Sequence, residues 1–192
     1  MRKACFFDRD GVLIAEANYI KDPDQVRILP GAAEALRLVH AAGFLAIVVS
    51  NQSGIARGYF TEVELDAVEE RMKRLLAEQG ASVDGIYHCF HHPTKGTVPE
   101  YVCDCDCRKP KPGMLLAAAR DFQLDLSQSV IVGDKTSDVE AGINAGCRAA
   151  ALVRTGHGAG QDLSPYPGVV DAPDVLTATR LLLSKVSERS DS

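Results

Sequence analysis

Short apolar runs alternate with helix-like segments along most of this chain. The runs are rich in Val, Ile, Phe and Ala, and polar residues hardly interrupt them. Strands that helices cover on both faces have this composition. Five such runs occur, near residues 4–7, 44–49, 84–88, 129–132 and 149–153.

The segments between the runs have helical start and stop signals. Residues 31–42 follow a proline and end at Gly43, and Thr61 with Glu64 forms a capping box at the start of the next helix. Further helices are predicted at 113–122, at 137–145 and from Asp174 to about Val186. Alternation of strand and helix predicts an α/β fold with a doubly wound, Rossmann-like parallel sheet.

The length of 192 residues predicts one domain, residues 1–192, with a polar tail from about residue 188. Only 39 residues separate Asp10 from Ser50 and 58 separate Ser50 from Lys109. Predicted helices use much of both gaps, so we expect no cap domain. Residues 154–168, with four glycines and two prolines, read as a surface loop.

Charge and hydropathy exclude several classes of partner. The net charge is −5 and no Lys/Arg run is present, which argues against nucleic-acid binding. No apolar stretch approaches the roughly 20 residues of a membrane span, and the N-terminus turns acidic at Asp8, before a signal-peptide core. We therefore expect a cytoplasmic protein without membrane contacts, and a monomer.

Four short polar segments lie at the ends of hydrophobic runs, where predicted strands or loops end. Because parallel strands end at one edge of a sheet, folding can gather these segments into one site. Together they supply carboxylates, a hydroxyl and cations, an inventory that suits chemistry on a phosphate. They are Asp8-Arg9-Asp10-Gly11, Ser50-Asn51-Gln52-Ser53, Arg108-Lys109-Pro110 and Gly133-Asp134-Lys135.

Three carboxylates at adjacent strand ends predict a site for a hard cation. Asp8, Asp10 and Asp134 would repel one another unless a cation lay among them. Mg2+ suits an all-oxygen site that also binds waters and a phosphate. Asp138 falls one turn into the next helix, where we expect it to steady the loop or the metal shell.

Four of the six cysteines lie within 19 residues, and a reducing compartment favours a metal site over disulfides. Cys89-x-His91 and Cys105-x-Cys107 can close a tetrahedral, structural Zn2+ site in a loop at about 89–107. Alternatives remain open: Cys103, His88 or His92 can replace a ligand, or the thiols can stay reduced without metal. Zinc here would fix the position of Lys109, which follows the loop.

These motifs resemble those of the haloacid dehalogenase (HAD) superfamily of phosphotransferases, over about residues 4–153. The resemblance implies that Asp8 attacks phosphorus and forms an aspartyl phosphate. It assigns Asp10 as the acid and base, Asp134 as a Mg2+ carboxylate, and Ser50 and Lys109 as ligands of the phosphoryl oxygens.

Within the superfamily, the chain is similar to the capless group with a zinc loop, which contains two phosphatase families. The D-glycero-D-manno-heptose 1,7-bisphosphate 7-phosphatase family is the better match, because 13 residues separate His91 from Cys105 and the histidinol-phosphate phosphatases have a short loop. The stretches 51–58 and 105–114 also follow the heptose family. Ser50 departs mildly, since threonine is common there.

The resemblance implies a small-molecule substrate, a sugar bisphosphate, in nucleotide-activated heptose synthesis. Arg108 can bind the distal phosphate through a bidentate fork. Further substrate contacts are predicted for Glu16, Tyr19, Asn51, Gln52, Ser53 and Lys135. The alternatives are a histidinol-phosphate phosphatase, or a zinc-organised binding or thiol-sensing module without turnover.

Overall fold

The computed structural model describes residues 1–187 and contains a six-stranded sheet in which all paired strands are parallel. Their spatial order is β3-β2-β1-β4-β5-β6. The strands are β1 Lys3–Phe7, β2 Phe44–Asn51, β3 Gly85–Cys89, β4 Val130–Gly133, β5 Ala149–Val153 and β6 Val170–Ala172.

The first strand lies in the middle of the sheet. It pairs with β2 through Phe7 and Val48, and with β4 through Phe7 and Val132. The chain winds outward from β1 in both directions, so the gap between β1 and β4 is the point where the strand order reverses. Ligands of open parallel sheets bind at this point, beyond the carboxyl ends of the strands.

Within residues 1–187, five α-helices cover the two faces of the sheet. They are α1 Ala32–Ala41, α2 Glu62–Glu78, α3 Gly113–Phe122, α4 Thr136–Ala145 and α5 Val175–Ser187. Helices α1, α2 and α5 contribute to the apolar core on one face, and α3 and α4 contribute to the core on the other. Burial on both faces explains why the strand sequences do not alternate.

The predicted α/β fold is confirmed, and helix-start signals were read correctly. Thr61 and Glu64 form both hydrogen bonds of the capping box, and Asp174 accepts a hydrogen bond from the Thr177 amide at 2.8 Å. The sixth strand was missed, because it has three residues and lies at the edge of the sheet with Asp171 exposed. The predicted tail from residue 188 lies outside the described residues.

Every strand in residues 1–187 belongs to this one sheet, with no inserted cap between the elements that carry the motifs. In the same residues, no helix is both long and apolar enough to span a bilayer.

Candidate active site

A cleft of about 540 Å³ opens at the carboxyl edge of the sheet. Eleven of the predicted site residues line it, and Asp134 lies fully buried next to it. The strand ends therefore gather the four polar segments as expected. The lining residues from the prediction are Asp8, Asp10, Glu16, Tyr19, Ser50, Asn51, Gln52, Ser53, Arg108, Lys109 and Lys135.

Three buried carboxylates lie together at the switch point. Oxygen atoms of Asp8, Asp134 and Asp138 lie within 4.8 Å of one another. Burial and the nearby Asp8 raise the pKa of Asp134 to about 7. The Asp134 Oδ1 atom is buried and has no hydrogen-bond partner among residues 1–187. The Lys135 Nζ atom lies 3.6 Å from this oxygen, too far for a hydrogen bond. A buried carboxylate oxygen without a hydrogen bond, beside other carboxylates, fits a hard divalent cation such as Mg2+.

Lys109 lies in the middle of this acidic group. Its Nζ atom donates to Asp8 Oδ1 at 2.9 Å and to the Val49 carbonyl at 2.6 Å, and it lies 2.6 Å from Asp138 Oδ1. Burial alone would lower the pKa of Lys109, but Asp138 and Asp8 outweigh burial and raise it. The lysine is therefore a cation at neutral pH, fixed by three oxygens.

Asp8 stays ionised although it is buried. Burial favours its neutral form, but Lys109 and Lys135 outweigh burial, so the net pKa of Asp8 is lowered. A buried, ionised carboxylate at the cleft surface is suited to nucleophilic attack.

The Asp10 carboxylate lies outside the three-carboxylate group. Arg9 donates to both of its oxygens at 3.1 Å, and Gln52 Nε2 donates to Oδ2 at 2.9 Å. The same Gln52 nitrogen donates to Ser50 Oγ at 2.7 Å. In this arrangement the Asp10 side chain does not face a cation held by Asp8 and Asp134. Its role as a Mg2+ ligand stays a prediction.

Asn51 fixes the backbone of Lys109. Its side-chain amide donates to the Lys109 carbonyl and accepts from the Lys109 amide, both at 3.1 Å. Arg108, the preceding residue, donates to the His91 carbonyl at 3.1 Å. The Asn51 side chain thus pairs with the Lys109 backbone as a neighbouring strand would. It links the end of β2 to the end of the cysteine loop.

The four predicted zinc ligands come together in that loop, with ligand atoms within 4.8 Å of one another. Cys105 Sγ lies 3.5 Å from Cys89 Sγ and 3.4 Å from Cys107 Sγ, and His91 Nδ1 lies 3.3 Å from Cys107 Sγ. A tetrahedral zinc with bonds of about 2.3 Å places sulfur ligands about 3.8 Å apart. The set therefore fits Zn2+ closely.

The alternative ligands lie elsewhere. Cys103 is exposed and outside the group. His88 contacts Glu69, and His92 Nδ1 accepts from the Thr94 and Lys95 amides.

One wall of the cleft is a short segment after the first motif. Asn18 and Tyr19 both have positive φ angles, of 48° and 63°. The Tyr19 ring packs edge-on against Tyr59 at 4.8 Å, and the Arg57 guanidinium lies 5.9 Å from the Tyr19 ring. Arg57 also lines the cleft, which its sequence context did not indicate.

The loop after β5 forms the opposite wall, although the sequence indicated only a surface loop there. The His157 amide donates to Asp134 Oδ2 at 2.8 Å, and Thr155 Oγ1 donates to the Gly11 carbonyl at 2.6 Å. The His157 ring lies 3.3 Å from Glu16, across the cleft mouth. No residue pattern in this loop pointed to contacts with Asp134, because they depend on the tertiary fold.

Comparisons with known proteins agree with this geometry. A HAD-hydrolase-like family profile matches residues 106–178. A D-glycero-β-D-manno-heptose-1,7-bisphosphate 7-phosphatase from Haemophilus influenzae is 45% identical over 92% of this chain and 97% of its own length. The protein of that name from Pasteurella multocida is 48% identical over 81% of this chain and 84% of its own.

A solved structure gives the same result. The D,D-heptose 1,7-bisphosphate phosphatase from B. bronchiseptica, complexed with magnesium and phosphate, is 36% identical and superposes with a TM-score of 0.82. The match covers 95% of this chain and 99% of that one. The chain thus belongs to the HAD-like hydrolases, in the family of the D-glycero-β-D-manno-heptose-1,7-bisphosphate 7-phosphatases.

Proposed function

We propose that this protein is a Mg2+-dependent phosphatase that removes the 7-phosphate from D-glycero-D-manno-heptose 1,7-bisphosphate. The observation that carries the proposal is the pairing of the buried, ionised Asp8 with Lys109, beside a carboxylate group that fits a divalent cation. The relatives named for this reaction support the substrate. Its product would enter nucleotide-activated heptose synthesis.

In the first step an Asp8 carboxylate oxygen attacks phosphorus. The bond between phosphorus and the C7 oxygen breaks, and an aspartyl phosphate forms. Asp10, in its acid form, gives its proton to the leaving oxygen, so the sugar departs as an alcohol. Asp10 is two residues from Asp8 and lines the same cleft.

The second step reverses the role of Asp10. Its carboxylate takes a proton from a water molecule, and the water oxygen attacks the phosphorus of the aspartyl phosphate. Inorganic phosphate leaves, Asp8 is regenerated, and Asp10 again holds the proton for the next turnover.

The remaining groups balance charge and hold the phosphoryl oxygens. Lys109 and Ser50 line the cleft next to Asp8, where a cation and a hydroxyl can bind these oxygens. Mg2+ held by Asp8 and Asp134 would offset the repulsion between carboxylate and phosphate. Asp138 keeps Lys109 charged and in place.

The cysteine loop would hold a structural Zn2+ through Cys89, His91, Cys105 and Cys107. Burial and Cys107 raise the pKa of Cys89, so metal binding must displace protons from the thiols. Zinc would fix the loop that leads into Arg108 and Lys109. A non-catalytic zinc module is not favoured, because the relatives carry phosphatase names.

The distal phosphate and the sugar would bind at the outer part of the cleft. Arg108 is the predicted ligand for the 1-phosphate, and Arg57 and Lys135 are two further cations on the cleft wall. Histidinol phosphate carries an ammonium group, which such a cationic wall disfavours. Glu16 and Tyr19 would contact the sugar.

We also propose a monomer that works in the cytoplasm as one domain. The single sheet to which all described strands belong supports the one domain. Light scattering after size exclusion tests the oligomeric state, and a mass of twice 20.6 kDa would contradict it.

The kcat/KM for phosphate release tests the function, with both anomers of the heptose bisphosphate and with histidinol phosphate. We expect a preference of more than about 10-fold for the β anomer, equivalent to about 1.4 kcal/mol in transition-state binding. Asp8→Asn should abolish turnover, and the exposed Asp66→Asn is a matched control. Preference for histidinol phosphate, or turnover by Asp8→Asn, would refute the substrate or the mechanism.

A further inference from the structure

A fully buried arginine holds the proposed acid and base. The Arg9 side chain is 1% exposed, and its Nε and Nη2 atoms donate to the two Asp10 oxygens. A two-point hydrogen bond fixes both the position and the plane of a carboxylate. Burying a guanidinium this deeply costs free energy unless charged neighbours offset it, so the groups around Arg9 matter to its position.

Glu69 supplies the second counter-charge. Its side chain is 7% exposed, and Oε1 lies 3.8 Å from Arg9 Nη1, the guanidinium nitrogen that has no hydrogen bond within residues 1–187. Glu69 lies on the inward face of α2 beside Val68 and Met72. A glutamate is almost never buried at such a position unless it is paired.

His88 fixes the other side of Glu69. Its Nε2 atom contacts the same Glu69 oxygen, and its ring stacks on Phe90 at 5.6 Å. His88 lies in β3, in register with Ser50 of β2. The glutamate is thus held between α2 and the sheet, and it faces Arg9 from a rigid position.

We infer that Arg9 and Glu69 are positioning residues for Asp10: Glu69 anchors the buried guanidinium, and the guanidinium orients the Asp10 carboxylate for proton transfer. The inference rests on the proposed function of Asp10. Gln52 adds one hydrogen bond to Asp10 Oδ2, but a single donor leaves the carboxylate plane free to turn. Arg9 lines the cleft, and the contacts that carry the inference join it to Asp10 and to Glu69.

The test compares substrates that need the proton with substrates that do not. A sugar alkoxide leaves only when it is protonated, whereas p-nitrophenolate leaves without a proton. The ratio kcat/KM reports the steps up to release of the alcohol or phenol, so hydrolysis of the aspartyl phosphate does not affect it. A defect in the position of Asp10 should therefore appear with heptose bisphosphate and be small with p-nitrophenyl phosphate.

The variants are Arg9→Lys, which keeps the charge and loses the fork, and Glu69→Gln, which keeps the shape and loses the charge. Glu70→Gln, on the exposed face of the same helix, is the control. We expect Arg9→Lys to lower kcat/KM for heptose bisphosphate about 10- to 100-fold, and Glu69→Gln about 10-fold. With p-nitrophenyl phosphate, each should change it less than about 3-fold.

Equal losses with both substrates, or no loss with heptose bisphosphate, would overturn the inference. Circular dichroism checks first that each variant is folded, and Glu69→Gln decides the question if Arg9→Lys does not fold. Failure of the wild-type protein on heptose bisphosphate would instead refute the proposed function. The same substrate comparison would then use any alkyl phosphate that the wild-type protein hydrolyses.

Discussion

Gly156 lies where its backbone touches the metal carboxylate, so a single methyl group there should disturb the site. A Cβ atom at this position would lie 2.3 Å from Asp134 Oδ2 and 2.6 Å from the Gly11 Cα atom. Its φ angle is +56°, in the left-handed region. Gly156→Ala therefore combines backbone strain with a collision that neither neighbour can avoid without moving.

The expected loss of stability and activity follows from the backbone strain and the collision. A left-handed alanine costs about 1–2 kcal/mol, partly offset by the lower entropy of the unfolded chain. An ordinary van der Waals contact needs about 1 Å more separation between the added Cβ atom and these neighbours. A displacement of about 1 Å at a reacting group can cost about 100-fold in rate. We expect a loss of about 2–4 kcal/mol in unfolding free energy, with a large loss of kcat/KM.

Two other glycines separate strain from collision. Gly168 has a φ angle of +90° but nothing within 4 Å of an added Cβ, and Gly160 has neither strain nor a near neighbour. Gly168→Ala should cost about 1 kcal/mol with unchanged activity, and Gly160→Ala less than about 0.5 kcal/mol. Thermal melts and phosphate release at varied Mg2+ concentration measure both effects.

The Mg2+ dependence gives the sharpest result. Gly156→Ala should raise the Mg2+ concentration for half-maximal activity about 10-fold or more, because Asp134 must shift. If Gly156→Ala matched Gly168→Ala in both stability and Mg2+ dependence, the loop would not position Asp134, and the reasoning would be wrong.

Three further perturbations test other parts of the site. Lys109→Met should lower the unfolding free energy by about 3–5 kcal/mol in denaturant titrations, because it leaves the buried Asp8 and Asp138 carboxylates without their cation. A loss no larger than that caused by replacing an exposed lysine would contradict this. Cys107→Ser should lower the zinc content and the Tm, whereas Cys103→Ser should change neither. A hydrogen bond from Arg154 holds the pKa of Asp171 below its ordinary value, so the stability it adds is present above the unfolded-state pKa and is lost as pH falls through the folded-state pKa. The Tm difference of Asp171→Asn from wild type should accordingly be present at neutral pH and shrink in acid.

The sequence predicted the position of site residues well where they directly follow a strand. Asp8 and Asp134 follow apolar runs that had to be buried strands, so the edge at which they meet was determined by the parallel topology. The clustering of the Cys and His residues of the loop was also predicted, because the spacing of soft ligands is a local signal. Helix caps such as Thr61 are local for the same reason.

The parts that were missed depend on tertiary contacts. Glu69 belongs to an acidic stretch of an amphipathic helix, where a surface position is the natural reading, and only the fold places it against Arg9. His157 contacts Asp134 through its backbone amide, which any residue type could supply. The strand Val170–Ala172 has too few residues for a periodic pattern.

The two hydrogen bonds between the Asn51 side chain and the Lys109 backbone have a consequence for where the chain can be altered. Lys109 is fixed by contacts outside residues 92–101, and the His92 amide donates to the Tyr101 carbonyl at 3.0 Å, which closes that segment at its base. Its length is therefore independent of the geometry at the lysine. Chain inserted near the exposed Lys95 should leave Lys109 in place, provided that the Thr97 and Val98 amides keep their hydrogen bonds to the Ala56 carbonyl, next to Arg57 of the cleft wall.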